Sequence, residues 1–289
     1  MQHLNYCRQL IKQFSTETQI LEPLLKDFKS HCVDLAKTSQ KFILPDGGRF
    51  YDDPELKALD ETEKLHLPFP CIAIEFTRSK EYLATLPPKS AERYQPDRTL
   101  FFAKEFDDHI AITVLVWAMD IKKWIPYPQA GIPRSNYLDR TARVGGRIGI
   151  RVIPPSKLPE LKDTTDESML DDYDDEVGAL LNLLNVLSCR NVHTEKSLPK
   201  KTSMAMNAGK KNAVPFDAYH YLVIDTPKKS ESSGVGGSHA SPREHLRRGH
   251  IRRLADGRRI WVNATVVSAG SGGVVAKDYV MRGAHGTNA

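Results

Sequence analysis

From Leu4 to about Lys41 the apolar residues recur at intervals of three and four: Leu10, Phe14, Leu21, Leu24, Leu25, Phe28, Cys32, Leu35 and Ala36. That spacing predicts one or two amphipathic helices packed on a core. Pro23 interrupts the stripe. A proline suits the first turn of a helix, where its missing N–H has no partner to lose, so a second helix is expected to begin there. The pattern then shortens into runs bounded by turn residues: Ile72 to Phe76, Thr99 to Ala103, Ile110 to Trp117 and Gly146 to Ile153. Their β-branched and aromatic content predicts a sheet. Ile110 to Trp117 is apolar almost throughout, which places it centrally in that sheet. Helical spacing returns at Val177 to Leu187, apolar on several faces and therefore buried, with acidic residues ahead of it that complement the positive end of the helix dipole. Tyr219 to Asp225 reads as a further strand.

Between these elements lie a polar, basic stretch from Lys196 to Asn212 and a Ser/Gly-rich stretch from Pro227 to Ala240, read as an exposed loop and a flexible linker. Beyond the linker, Gly249 to Leu254 and Arg258 to Val267 can pair across Ala255-Asp256-Gly257, where Asp-Gly supplies the turn. Alternation puts Ile260, Val262, Ala264 and Val266 on one face, expected to seek a core, and Arg259, Trp261, Asn263 and Thr265 on the other. A turn at Gly270 to Gly273 leads to a possible third strand at Val274 to Met281. The expected fold is α+β: N-terminal helices, then a mixed or antiparallel sheet, then a small arginine-rich β module after a flexible linker. The expected division is 1–226 for the α+β domain, 227–242 for the linker, 243–283 for the module and 284–289 for a disordered tail.

Composition is that of an ordinary globular chain, with 40% hydrophobic and 27% charged residues. Charge placement changes the picture. Arg243 to Arg259 holds Arg243, Arg247, Arg248, Arg252, Arg253, Arg258 and Arg259 against only Glu244 and Asp256, a formal +5 that equals the net charge of the whole chain. Lysine is absent from that window, and guanidinium forks bind phosphate or carboxylate bidentately. Cys7, Cys32, Cys71 and Cys189 are scattered without a CxxC pair, which excludes a zinc-ribbon spacing and favours reduced thiols in a cytoplasm. The start Met1-Gln2-His3-Leu4-Asn5-Tyr6-Cys7-Arg8 has no signal-peptide pattern, and no apolar run reaches membrane-spanning length, so a cytoplasmic protein with no membrane partner is expected.

The run His245 to Leu254 followed by Asp256-Gly257-Arg258-Arg259-Ile260-Trp261-Val262 resembles a family of uncharacterised bacteriophage and prophage proteins. Leu67-Pro68-Phe69-Pro70, Leu187 to Val192 and Pro215-Phe216-Asp217 fit the same likeness. The resemblance implies a viral, non-virion accessory protein acting in the cytoplasm of a bacterial host. It implies no activity, so it assigns no catalytic residue.

The arginine cluster is therefore read as a nucleic-acid-binding surface made by Arg243, Arg247, Arg248, Arg252, Arg253, Arg258 and Arg259, with Trp261 either stacking a base or packing in a core. Two alternatives stay open. The nine acidic residues between Glu160 and Glu176 can cover the arginines, or a host protein can be the partner. His245 and His250 are candidates for acid–base cleavage of RNA without a metal, since histidine titrates near neutral pH beside arginines that stabilise a charged phosphorane. Binding or packing roles compete with that reading. A non-catalytic inhibitor of a host enzyme is the remaining alternative. The glycine-rich stretches Gly145 to Gly149 and Gly270 to Gly273 lack the strand–loop–helix context of a nucleotide site, and Asp171 to Asp175 lack the calcium-loop glycine and glutamate. No cofactor and no metal are expected.

Overall fold

A computed structural model describes residues 3–16, 23–51, 64–79, 82, 84, 97–135, 151–152, 174–200, 213–225, 245–247, 250–262, 265–267 and 280–282. The two predicted helices are α1, Tyr6–Thr16, and α2, Pro23–Thr38, which begins at the proline as its fixed φ and absent N–H dictate. They are followed by strands β1 (Gln40–Ile43), β2 (Cys71–Thr77), β3 (Arg98–Glu105), β4 (His109–Ala118), β5 (Lys123–Pro133) and β6 (Arg151–Val152). Helix α3 spans Asp174–Leu187, and the chain then forms β7 (Val192–Ser197) and β8 (Tyr219–Asp225). The C-terminal strands are β9 (His245–Arg247), β10 (His250–Arg253), β11 (Arg259–Val262), β12 (Thr265–Val267) and β13 (Val280–Arg282).

Nine strands form one mixed sheet in the order β13-β8-β1-β2-β3-β4-β5-β6, with β7 beside β8. The pairs β1–β2, β1–β8 and β8–β13 are parallel and the others antiparallel. The fold is α+β, as expected, and the continuously apolar β4 has neighbours on both edges. Side-chain alternation along β2, β3 and β4 divides the core in two. Ala73, Leu100, Phe102 and Leu115 meet Leu10, Phe14, Cys32 and Leu35 of α1 and α2. Ile72, Ile74, Phe101 and Ile112 meet Val177, Leu180, Leu181 and Leu183 of α3 on the opposite face.

Five strands depart from the expectations. β1, β5, β7 and β9 fall where the sequence predicts none. β13 pairs with β8 of the main sheet, Val280 opposite Val223 through Arg282 opposite Asp225, so the third strand expected of the arginine module joins the body instead. The linker at 227–242 and the tail at 284–289 lie outside the described residues.

A buried carboxylate ties the sheet to the N-terminal helix. Glu75 of β2, with no exposed surface, accepts hydrogen bonds from the backbone N–H groups of Tyr6 (3.0 Å) and Cys7 (2.8 Å) and from the Tyr219 hydroxyl (2.8 Å). The first turn of α1 leaves those N–H groups without intrahelical partners, so the carboxylate satisfies donors that burial would otherwise orphan. Burial pushes the Glu75 carboxyl up to about 7, against the pull of these three hydrogen bonds.

Candidate nucleic-acid interface

The arginine segment forms the predicted hairpin. β10 and β11 pair antiparallel, His250 opposite Val262 through Arg253 opposite Arg259. β9 and β12 pair in the same offset, Arg247 opposite Thr265 and His245 opposite Val267, so one hairpin register carries on through both pairs. The turn closes with Leu254 N–H donating to Arg258 O at 2.8 Å and Gly257 N–H donating to Leu254 O at 3.0 Å. Gly257 has φ +83, a conformation that a side chain would strain, which is the glycine requirement read from Asp256-Gly257.

The faces of this hairpin are the reverse of those expected. Trp261 is 3% exposed and belongs to the core between α3 and the sheet, in edge contact with the Tyr51 ring at 5.6 Å between centroids. Ile251, its cross-strand partner, packs against the same core, while Ile260 and Val262 are half-buried. A single indole buries more apolar surface than either aliphatic neighbour, and its side of the strand turns inward. A buried ring has no open face for a base, so the packing alternative describes Trp261 and the stacking one does not.

Polar contacts latch the hairpin down. The side chain of Asn191, just before β7, accepts from Trp261 N–H at 2.8 Å and donates to Trp261 O at 3.1 Å and to Asp225 O at 3.3 Å. Its amide thus takes the place of a strand partner for Trp261. The backbone N–H of Arg190 donates to Arg259 O at 2.9 Å. The Arg259 guanidinium reaches the end of α3, donating to Asn185 Oδ1 at 3.4 Å and Ser188 Oγ at 3.1 Å, where a cation complements the negative end of the helix. Neither Asn191 nor the structural use of Arg259 was read from sequence. Asn191 did stand inside one of the pieces carrying the phage-family likeness, with no role attached.

The arginines therefore divide. Arg252, Arg253 and Arg258 are exposed around the turn. Arg258 pairs with Asp256 through Nε and Nη2, and these hydrogen bonds hold the Asp256 carboxyl below its usual range. Arg259 faces the body. Arg247 lies in β9, while Arg243 and Arg248 lie outside the described residues. His250 is half-buried near the start of β10 and His245 begins β9.

Of the acidic segment at 160–176, residues 174–176 are described. Asp175 and Glu176 meet Arg78 at 3.3 and 3.2 Å, and Asp175 also meets Arg49 at 3.5 Å. These carboxylates at the start of α3 thus pair with arginines of the body. Burial raises the Glu176 carboxyl while Arg78 pulls it back down. Among the described residues no group of three or more His, Cys, Asp or Glu side chains is placed to hold a metal ion, and no helix is long and apolar enough to cross a membrane.

No curated protein and no solved structure matches the chain. A family does. Residues 51–269, about three quarters of the chain and including the whole β9–β12 hairpin, match the AcrVA2-like family, described as the anti-CRISPR type V subtype A2 family. The phage likeness carried by the sequence thus has a specific home, and the chain belongs to this anti-CRISPR family of phage accessory proteins.

Proposed function

We propose that this protein antagonises a type V CRISPR system inside the bacterial host, and that its arginine hairpin does so by gripping nucleic acid belonging to that system. The family match supports the first half. One observation carries the second: Arg252, Arg253 and Arg258 stand exposed around a glycine turn on a hairpin whose base is fixed by Trp261 and Asn191. A fixed base lowers the entropy cost of aligning three guanidinium groups on a phosphate track. RNA-guided effectors hold their strands through backbone contacts in charged channels, and a competing cationic hairpin can occupy the same phosphates. This reading needs no catalytic step.

Anisotropy of labelled single-stranded RNA and duplex DNA with the intact chain tests the grip. Three phosphate contacts predict an affinity that falls roughly 20- to 40-fold between 50 and 200 mM salt. The triple variant Arg252→Ala, Arg253→Ala, Arg258→Ala loses most of that salt dependence. An interference assay in cells carrying a type V system tests the role. Protection by wild type but not by the triple variant supports both halves. Equal protection by the two removes nucleic-acid gripping and leaves the antagonism.

A further inference from the structure

The turn between β10 and β11 holds one arginine in a fixed pose. Asp256 Oδ1 accepts from the backbone N–H of Arg258 at 3.1 Å, and Asp256 Oδ2 takes Nε and Nη2 of the Arg258 side chain. Both carboxylate oxygens are thus turned on a single residue. A guanidinium is a flat fork with five N–H donors. Its Nε–Nη2 edge faces Asp256, which leaves the Nη1–Nη2 end for a second pair of acceptors. Both side chains are about half exposed, so that end meets solvent.

Two acceptor pairs in nucleic acid suit such a fork: two oxygens of a phosphate, or O6 and N7 of a guanine. Asp256 separates them. A phosphate brought to Arg258 meets the Asp256 carboxylate as well, and the pair of side chains offers it no net charge. The guanine edge is neutral and suffers no such repulsion. Arg252 and Arg253 carry no acidic neighbour in sequence, and they keep their full attraction for phosphate.

The rest of the hairpin selects the form of the nucleic acid. Trp261 is the only Trp, Tyr or Phe between 243 and 267, and it is 3% exposed. Single strands are held by stacking their bases on such rings. Arg252 pairs with Ile260 across the ribbon and Leu254 bonds to Arg258, so Arg252 and Arg258 share the face opposite Ile251 and Trp261. Diagonal neighbours of this kind lie about 7–8 Å apart. The major groove of B-form DNA, about 12 Å wide, admits a two-stranded ribbon and displays the guanine edge. In A-form RNA that groove is too narrow to read.

We propose that Arg258, braced by Asp256, reads guanine in the major groove of duplex DNA while Arg252 and Arg253 hold the backbone. The inference rests on the nucleic-acid grip proposed above and names its ligand. Arg190, exposed where its backbone N–H meets Arg259 O, adds a third cation for phosphate.

Anisotropy with the intact chain tests this on three DNA duplexes: one containing G·C pairs, one of A·T pairs alone, and the first with 7-deazaguanine for guanine. The base analogue pairs normally but lacks N7. Wild type is expected to prefer the G·C duplex over the A·T one by roughly 5- to 150-fold, and the analogue should remove most of that preference. Arg258→Lys keeps the charge without the fork, so the preference disappears. Asp256→Asn keeps a turn-forming residue before Gly257 and frees Arg258 for phosphate. It should bind the A·T duplex more tightly, with a steeper salt dependence and a smaller preference for G·C. Equal affinity of wild type for all three duplexes, or a preference that survives in Arg258→Lys, overturns the base reading and leaves the grip standing. An Asp256→Asn variant that behaves as wild type overturns the brace. Tighter binding to single-stranded RNA than to any duplex overturns the choice of ligand. No binding to any of them overturns the grip and this inference together.

Discussion

Trp261 shows how much one side chain decides. Period-two alternation correctly separates it from Ile260 and Val262, but alternation cannot say which of two mixed faces turns inward. That choice depends on the surface waiting for it: Tyr51, the end of α3 and the Asn191 amide, all distant in sequence. Trp261→Ala removes a buried aromatic ring and leaves a cavity that a hairpin clamped on both sides cannot collapse. The expected loss is about 3–5 kcal/mol. Thermal denaturation should show Tm lowered by several degrees. An unchanged Tm would mean that the indole is not in the core. Arg259, beside it in the sequence, shows the same limit. Its charge was legible, but its use on the helix end was not, because the partners Asn185 and Ser188 lie more than seventy residues upstream.

At the scale of elements, legibility followed locality. α1, α2, α3, β2, β3, β4, β8 and the β10–β11 turn carry their own periodicity, capping or turn chemistry, and all were expected. β1 is four residues, Gln40 to Ile43, placed directly after α2, and it exists because β2 and β8 pair with it from far along the chain. β5 carries Pro126, Pro128 and Pro133, residues that argue against a strand. Among the described residues its outer edge takes a partner only at Ala130 and Gly131, where β6 pairs, which leaves the prolines room. The hairpin's attachment is likewise non-local. Asn191→Ala leaves Trp261 N–H and O without their side-chain partner, at a cost of about 1–3 kcal/mol. Hydrogen exchange should then speed up through 250–262 more than through β2 to β4. If the hairpin grips nucleic acid as proposed, that affinity should fall with it, since the arginines lose their fixed base. Exchange that rises equally everywhere would show a global destabilisation and not a released hairpin.

Across the whole molecule, Glu75 joins elements that are far apart in the chain: the first turn of α1, the middle of the sheet and Tyr219 of β8. Its pH behaviour is therefore a property of the fold. The carboxyl is raised from 4.5 to about 7, so the native state holds this proton over a window in which the unfolded chain has released it. Stability from Glu75 is fully present below pH 4.5 and is lost as pH rises through about 7. Burial also raises Asp217, which adds a loss of the same sign. Burial lowers His3, His31 and His220, whose contributions run the other way and are lost as pH falls. The opposing signs flatten the overall profile, so wild type alone reveals little and a comparison isolates the carboxylate. Glu75→Gln forfeits one acceptor at every pH, a constant offset, and abolishes the titration. Denaturant unfolding of both proteins from pH 5 to pH 8 should find wild type losing ground to the variant by about 2–3 kcal/mol, at about 1.4 kcal/mol per unit at most. A difference that stays level across the window would mean that the buried carboxylate keeps one protonation state throughout, its three hydrogen-bond donors outweighing burial.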